Sequence, residues 1–279
     1  MRINLLTGIS NKLRIIPRKI DKGACLPLTD IMVFRSSNPA LRHADFTAGY
    51  SQERMTLDGT INKTLSLLGL VFLSSVMAYA ITGENPGLGM LMMIGGAIGG
   101  LILVLVISFV RPQQPQILMG CYAILEGLFV GGMSYSVENW YLEDGTKGAV
   151  AMALIATIGV FITMLTLYRA RIIRPTQKFV IAVVSISGAI MLVYLAGFVM
   201  SLIGMQIPYI HNSGPIGIGF SIVATSMASL FLIIDFGIIE NGVKNGAPKN
   251  MEWYGAFGLT ITLVWLYIEL LRLIAKLRD

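Results

Sequence analysis

The chain places one carboxylate, Asp235, inside the apolar run Leu230-Phe231-Leu232-Ile233-Ile234-Asp235-Phe236-Gly237-Ile238-Ile239-Glu240. A charge near the centre of a bilayer-length helix costs about 2.5–3.5 kcal/mol on insertion scales, so Asp235 must be protonated, paired or turned toward water. Glu126, in Tyr122-Ala123-Ile124-Leu125-Glu126-Gly127-Leu128, poses the same problem and has no basic neighbour one turn away. Glu269 lies in Trp265-Leu266-Tyr267-Ile268-Glu269-Leu270-Leu271-Arg272. Arg272 at i+3 offers it a local ion pair, and a buried role beside Asp235 is equally open. Thr262, seven residues earlier, shares the face of Glu269 and extends a polar stripe. Glu240, five residues after Asp235, turns off that face toward Asn241-Gly242-Val243-Lys244 and reads as a solvated loop carboxylate. Intramembrane carboxylates bind or relay cations and protons. Two held close in low dielectric share a proton and titrate as a pair, which makes a pH-sensitive latch on helix packing.

Other chemistries find little support. His43 falls in the N-terminal arm and His211 in a loop, neither placed as a base beside a membrane nucleophile. No phosphate-binding glycine loop or metal-ligand spacing occurs. Two cysteines, Cys25 and Cys121, give no disulfide or metal pattern, and Cys121 reads as a small packing residue. An intramembrane aspartyl protease needs two membrane aspartates, and the apolar segments hold one. No enzyme class and no resident cofactor is therefore expected.

The elements that must position these acids follow from composition. The 279 residues are 55% hydrophobic and 13% charged, against roughly 25% charged in soluble domains, with mean hydropathy +0.73. Seven apolar segments run over Ile61–Thr82, Leu88–Val110, Ile117–Val137, Gly148–Tyr168, Phe179–Gly204, Pro215–Ile238 and Tyr254–Ala275. About 20 residues span the hydrocarbon core, and a lone strand cannot satisfy its backbone there, so each is predicted to be a helix. The fold class is all-α, a polytopic seven-helix membrane bundle over 61–279. Turn chemistry separates the segments, as in Gly83-Glu84-Asn85-Pro86-Gly87, Glu143-Asp144-Gly145 and Asn212-Ser213-Gly214-Pro215. Gly95, Gly96, Gly99 and Gly100, with Gly127 and Gly131, supply close-approach spacing, read as packing within the bundle in preference to a dimer seam. Trp140, Tyr141, Trp253 and Tyr254 at segment ends read as interfacial anchors.

Seventeen of the 21 Lys and Arg lie in the arm and the even-numbered loops, the other four being Lys147, Arg272, Lys276 and Arg278. The positive-inside rule then puts the N-terminus in the cytoplasm. The net charge of +6 is assigned to topology and anionic lipid, not to nucleic acid. A basic C-terminal tail outside conflicts with that rule unless the last segment is re-entrant; the reading taken is that it spans. Residues 1–60 form a basic arm expected to lack order. Its first 31 residues could be an upstream extension with Met32 as initiator, or an amphipathic helix on the inner leaflet.

Several stretches together resemble one family. They are Ser37-Asn38-Pro39-Ala40-Leu41, Met55-Thr56-Leu57-Asp58-Gly59-Thr60-Ile61-Asn62-Lys63-Thr64, Ile124-Leu125-Glu126-Gly127-Leu128, Asp235-Phe236 and Gly246-Ala247-Pro248-Lys249-Asn250-Met251-Glu252-Trp253-Tyr254. From about Ser37 onward the chain is similar to the YccA-related bacterial branch of the Bax inhibitor family. The resemblance implies seven helices, a cytoplasmic N-terminus and a pH-dependent calcium leak controlled by acids on the last two helices. Relatives also act as modulators of membrane protein quality control. Asp235 resembles the sixth-helix acid and Glu126 the acid of the Glu-Gly pattern. In the resemblance, the position where relatives carry the seventh-helix acid falls on Thr262, with this chain's own acid two turns later at Glu269, so the resemblance implies an acidic pair that is lost or stretched here.

The expectation is thus a pH-sensitive cation (calcium) leak in a bacterial inner membrane, with Asp235 at the gate and Glu126, Glu269 and Thr262 along the pathway. Calcium would be transient. The alternative is a non-conducting regulator that binds a membrane protease or another membrane complex.

Overall fold

A computed structural model describes residues 53–110, 112, 114–141, 148–202 and 214–278. The arm up to residue 52 with Cys25 and His43, Lys147, the Glu143-Asp144-Gly145 turn, His211 and the side chains of Trp140 and Tyr141 lie outside the described residues. Seven helices long and apolar enough to cross a membrane make up the described chain. They are α1 (Leu57–Glu84), α2 (Pro86–Val110), α3 (Gln116–Ser136, continued by a π turn over Val137–Tyr141), α4 (Ala149–Arg169), α5 (Gln177–Leu202), α6 (Pro215–Lys244) and α7 (Met251–Arg278). The protein is a seven-helix membrane bundle.

Polar residues at the segment ends set where the helices begin. The Thr56 hydroxyl caps α1 by accepting the Gly59 amide at 3.0 Å, so α1 starts four residues ahead of the apolar run. Asn85 accepts the Leu88 amide at 3.1 Å just before Pro86, and Pro215 opens α6 directly after Gly214. Proline is tolerated there because the first helical N–H has no partner in any case. The ends carry one correction. Apolarity stops near Ile238, yet α6 continues to Lys244, which puts Glu240 in the helix and not in a loop.

The last helix is the centre of the bundle. α7 packs against α1, α3, α4 and α6, with α2 and α5 outside that ring. Its inward residues, among them Leu259, Leu263, Leu266 and Tyr267, belong to one buried cluster with Leu67, Tyr122 and Leu232. The outer surface is apolar as well. Leu65, Leu73, Leu91, Phe109, Ile155 and Leu192 stand exposed, as lipid-facing side chains should.

α7 also settles how the basic tail is accommodated. Lys276 is buried and donates to the Gly217 carbonyl at 3.0 Å and the Ser221 hydroxyl at 2.9 Å, both on α6, while Arg278 reaches Met152 in the first turn of α4. The end of α7 therefore lies beside the beginnings of α6 and α4. The segment crosses the whole bundle, and Lys276 is taken into the protein while Arg278 lies along α4 at its surface.

Glycines allow the tightest crossings. A Cβ at Gly131 would stand 2.8 Å from the Ala78 Cβ and against the Ser75 carbonyl, and one at Gly127 would meet Val71 and Ser74, so α3 lies directly on α1. Gly96 faces the Leu125 carbonyl and the Phe129 amide, Gly99 faces the Leu125 side chain, and Gly100 faces the Glu126 carboxyl; these bring α2 onto α3. Gly95 departs from the expected set, because it points to open space. Gly131→Val should accordingly cost about 1–3 kcal/mol or more by forcing the helices apart, read as a lower unfolding midpoint in detergent. Gly95→Val, in the same kind of motif, should leave that midpoint in place. Cys121 is a second correction: it is exposed on the outer face of α3, because the packing positions of that helix are taken by Tyr122, Ala123 and Gly127.

Candidate functional site: buried carboxylates of the bundle

Asp235 projects from α6 into the α6–α7 contact between Leu232, Ile233, Ile234 and Phe236, all buried, and is itself 8% exposed. Its side-chain partner is Thr262 of α7. The other carboxyl oxygen, Oδ2, is buried without a hydrogen-bond partner among the described residues. Thr262 is itself 3.2 Å from the Gly258 carbonyl one turn back. A threonine hydroxyl has one proton and two lone pairs. It can donate to an ionised Asp235, or accept from a protonated Asp235 while donating to Gly258.

Glu269 is held elsewhere. It is fully buried, and the Tyr194 hydroxyl of α5 lies 2.8 Å from both of its oxygens. Trp265 Nε1 donates to Oε1 at 3.1 Å, and Arg272 Nη1 approaches Oε1 at 3.7 Å. The Arg272 guanidinium also lies over the Tyr194 ring, 4.8 Å from its centre, within cation–π range. Of the two roles open to Glu269, the local pair with Arg272 is the one formed, and Thr262 takes the place beside Asp235. Tyr194→Phe should thus cost about 1.5–3 kcal/mol, the scale of a hydrogen bond to a charged group. The unfolding midpoint would report that loss, and any pH response centred on Asp235 should persist.

Glu126 stands apart from both. It is half-buried on α3, hydrogen-bonded to Tyr122 one turn earlier and facing Gly100 of α2. Tyr122 is buried and stacks edge-on against Phe257 of α7 with ring centres 4.9 Å apart. Glu126 thus reaches the central helix through a ring, not through a shared proton with Asp235. Glu240 proves to be anchored: Tyr168 of α4 donates to it and Lys244 pairs with it.

The best-connected acid is one that sequence reasoning missed. Glu252, in the first turn of α7, is 1% exposed and pairs with Lys63 of α1. It also accepts from the Thr56 amide and the Thr56 hydroxyl, each at 2.9 Å. Lys63 lies 5.3 Å from the centre of the Trp253 ring. Around this pair the chain entering α1 runs antiparallel to the chain entering α7: the Met55 amide donates to the Ala247 carbonyl at 2.7 Å, and the Lys249 amide to the Glu53 carbonyl at 2.9 Å. Gly246 adopts φ 66° at the turn, a left-handed conformation that glycine takes without steric cost. The exposed Lys249 pairs with Glu53, and this hydrogen bond holds the Lys249 ammonium above its usual range. Tyr254, read as an interfacial anchor, donates to the Pro112 carbonyl at 2.8 Å. The Met55–Thr64 and Gly246–Tyr254 stretches, far apart in sequence, thus form one clasp between α1 and α7. That both recur in one resemblance was the available signal, since nothing local links residues 189 positions apart.

A family model described as Bax inhibitor 1 like matches residues 38–279, nearly the whole chain and all of the bundle. The protein belongs to the Bax inhibitor 1 like family. No curated protein matches the chain in a direct comparison. Within the family match lie all of the described helices and each of Glu126, Asp235, Thr262 and Glu269. Among the described residues no group of three or more His, Cys, Asp and Glu gathers as a metal cage.

Proposed function

We propose that this membrane protein is a pH-sensitive cation (calcium) leak pathway whose gate is the single carboxylate of Asp235. One observation carries the reading: a buried acid at the α6–α7 contact has one oxygen beside Thr262 and the other without a partner. An ionised carboxylate with an unfilled lone pair in low dielectric attracts a cation and its water. Protonation removes that charge, and the Thr262 hydroxyl turns from donor to acceptor, so the packing preferred by α6 against α7 changes with pH. Glu126 is a second interior acid on the α2–α3 side, and Glu269 braces α7 against α5. The setting is a bacterial inner membrane, YccA-related branch, with the N-terminus cytoplasmic. Lys63, Arg169, Arg171, Arg174, Lys178, Lys244 and Lys249 share one end of the bundle, which supports that orientation.

A second reading is favoured by Glu269. With both of its oxygens hydrogen-bonded and Arg272 alongside, the last two helices hold no acidic pair. A non-conducting regulator that engages a membrane protease or other membrane complex accords with that closed arrangement. Calcium efflux from vesicles carrying the purified full-length chain, alongside affinity capture with and without residues Met1–Ile31, separates the two. Efflux above protein-free vesicles supports the leak, and tight vesicles at every pH with arm-dependent capture support the regulator.

A further inference from the structure

The bundle is not closed all the way round. α1 and α4 both pack on α7 but scarcely meet each other, and between them lies a crevice of about 530 Å³ lined almost wholly by apolar groups. Leu259, Leu263, Val264 and Tyr267 of α7 form its floor, with Leu65 and Leu154 on its rims. Leu65 and Leu154 are exposed, so the crevice opens sideways to lipid. On α1 it runs from Ile61 to Tyr79, about 27 Å at 1.5 Å per residue and nearly the depth of the hydrocarbon core.

At the Leu57 end the crevice passes into a second cavity of about 680 Å³, and Ile61, Thr64, Phe161 and Leu259 line both. This cavity is charged. Arg169, Arg171, Arg174 and Lys244 surround it, against Asp58 and Glu240. Lys244 and Tyr168 already engage Glu240. Among the described residues neither Arg169 nor Arg174 has an ion-pair partner. Arg171, at φ 58°, turns the chain back so that three arginines close on one space just beyond the end of α4.

We infer that the joined cavities are a binding site for an anionic phospholipid, its phosphate at Arg169 and Arg174 and one acyl chain in the crevice between α1 and α4. A continuous apolar slot ending in a cluster of cations at the membrane boundary matches an amphiphile with an anionic head, and basic pockets between helices bind such headgroups. A soluble phosphate would use only the charged half. A neutral lipid would use only the slot.

The test is native mass spectrometry of the full-length chain in detergent, titrated separately with phosphatidylglycerol, phosphatidylcholine and glycerol phosphate. Phosphatidylglycerol should bind as a discrete first adduct at least about tenfold more tightly than phosphatidylcholine. The double substitution Arg169→Gln/Arg174→Gln should remove most of that preference. Leu154→Trp, which narrows the slot at a lipid-facing rim and leaves the arginines in place, should weaken phosphatidylglycerol while the protein stays monodisperse. Equal binding of the two lipids, or a preference that survives the arginine substitutions, overturns the site. Glycerol phosphate binding as tightly as the lipid also overturns it, in favour of a free-phosphate site.

Discussion

Glu252→Ala should lower stability by about 3–5 kcal/mol, the cost of breaking a buried ion pair from one side. The substitution strands Lys63, whose side chain is 17% exposed, against a site that is 1% exposed. It also takes the acceptor from the Thr56 amide and hydroxyl. Gly59 lies directly against that carboxyl, so the lost volume opens a hole where α1 starts. A soluble-type surface pair would contribute at most about 1 kcal/mol, and the size of the loss therefore decides between a clasp and an ornament. The midpoint of thermal unfolding in detergent, followed by tryptophan fluorescence, reads it. Glu252→Gln keeps the volume and one acceptor and should fall between the two. A Glu252→Ala midpoint equal to wild type would contradict the clasp.

Thr262→Asp should change the shape of the pH response. The substitution puts a second carboxyl against Asp235 at a buried contact, where two like charges cannot both ionise cheaply. Such a pair releases its protons in two macroscopic steps instead of one. The pH profile of calcium efflux should then broaden by about one unit or more relative to wild type. Asp235→Asn/Thr262→Asp, with one acid again, should return it to a single step. A broadened profile in Thr262→Ser, which keeps the hydroxyl, would instead point to repacking as the cause.

The helices were legible because the bilayer leaves a long apolar segment few alternatives. Their ends were less so, since caps such as Thr56 and partners such as Tyr168 extend helix past the point where apolarity stops. Asp235 was visible as a charge where none is tolerated alone, and the family resemblance puts Thr262 at the seventh-helix position. The Glu269–Arg272 pair was legible too, because i+3 spacing is local. Trp265, one turn earlier, is local as well, but the third donor, Tyr194, was not legible: it lies 75 residues away on another helix, and no periodicity connects them. Glu252 was overlooked for the same reason. An acid in the first turn of a helix has a sufficient local explanation in the helix dipole, and Lys63 has one in membrane topology. Each masked the pair they form. Cys121 and Gly95 show the converse limit, where residue type suggested an inward face and helix rotation turned it out.

The most direct measurement is calcium efflux from vesicles carrying wild type or Asp235→Asn, side by side across pH. Asparagine is the isostere of the protonated acid, so the variant should show at every pH the flux that wild type shows only when acidified. A variant that tracks the wild-type pH profile, or wild-type vesicles that hold calcium at every pH, would contradict a gate at Asp235.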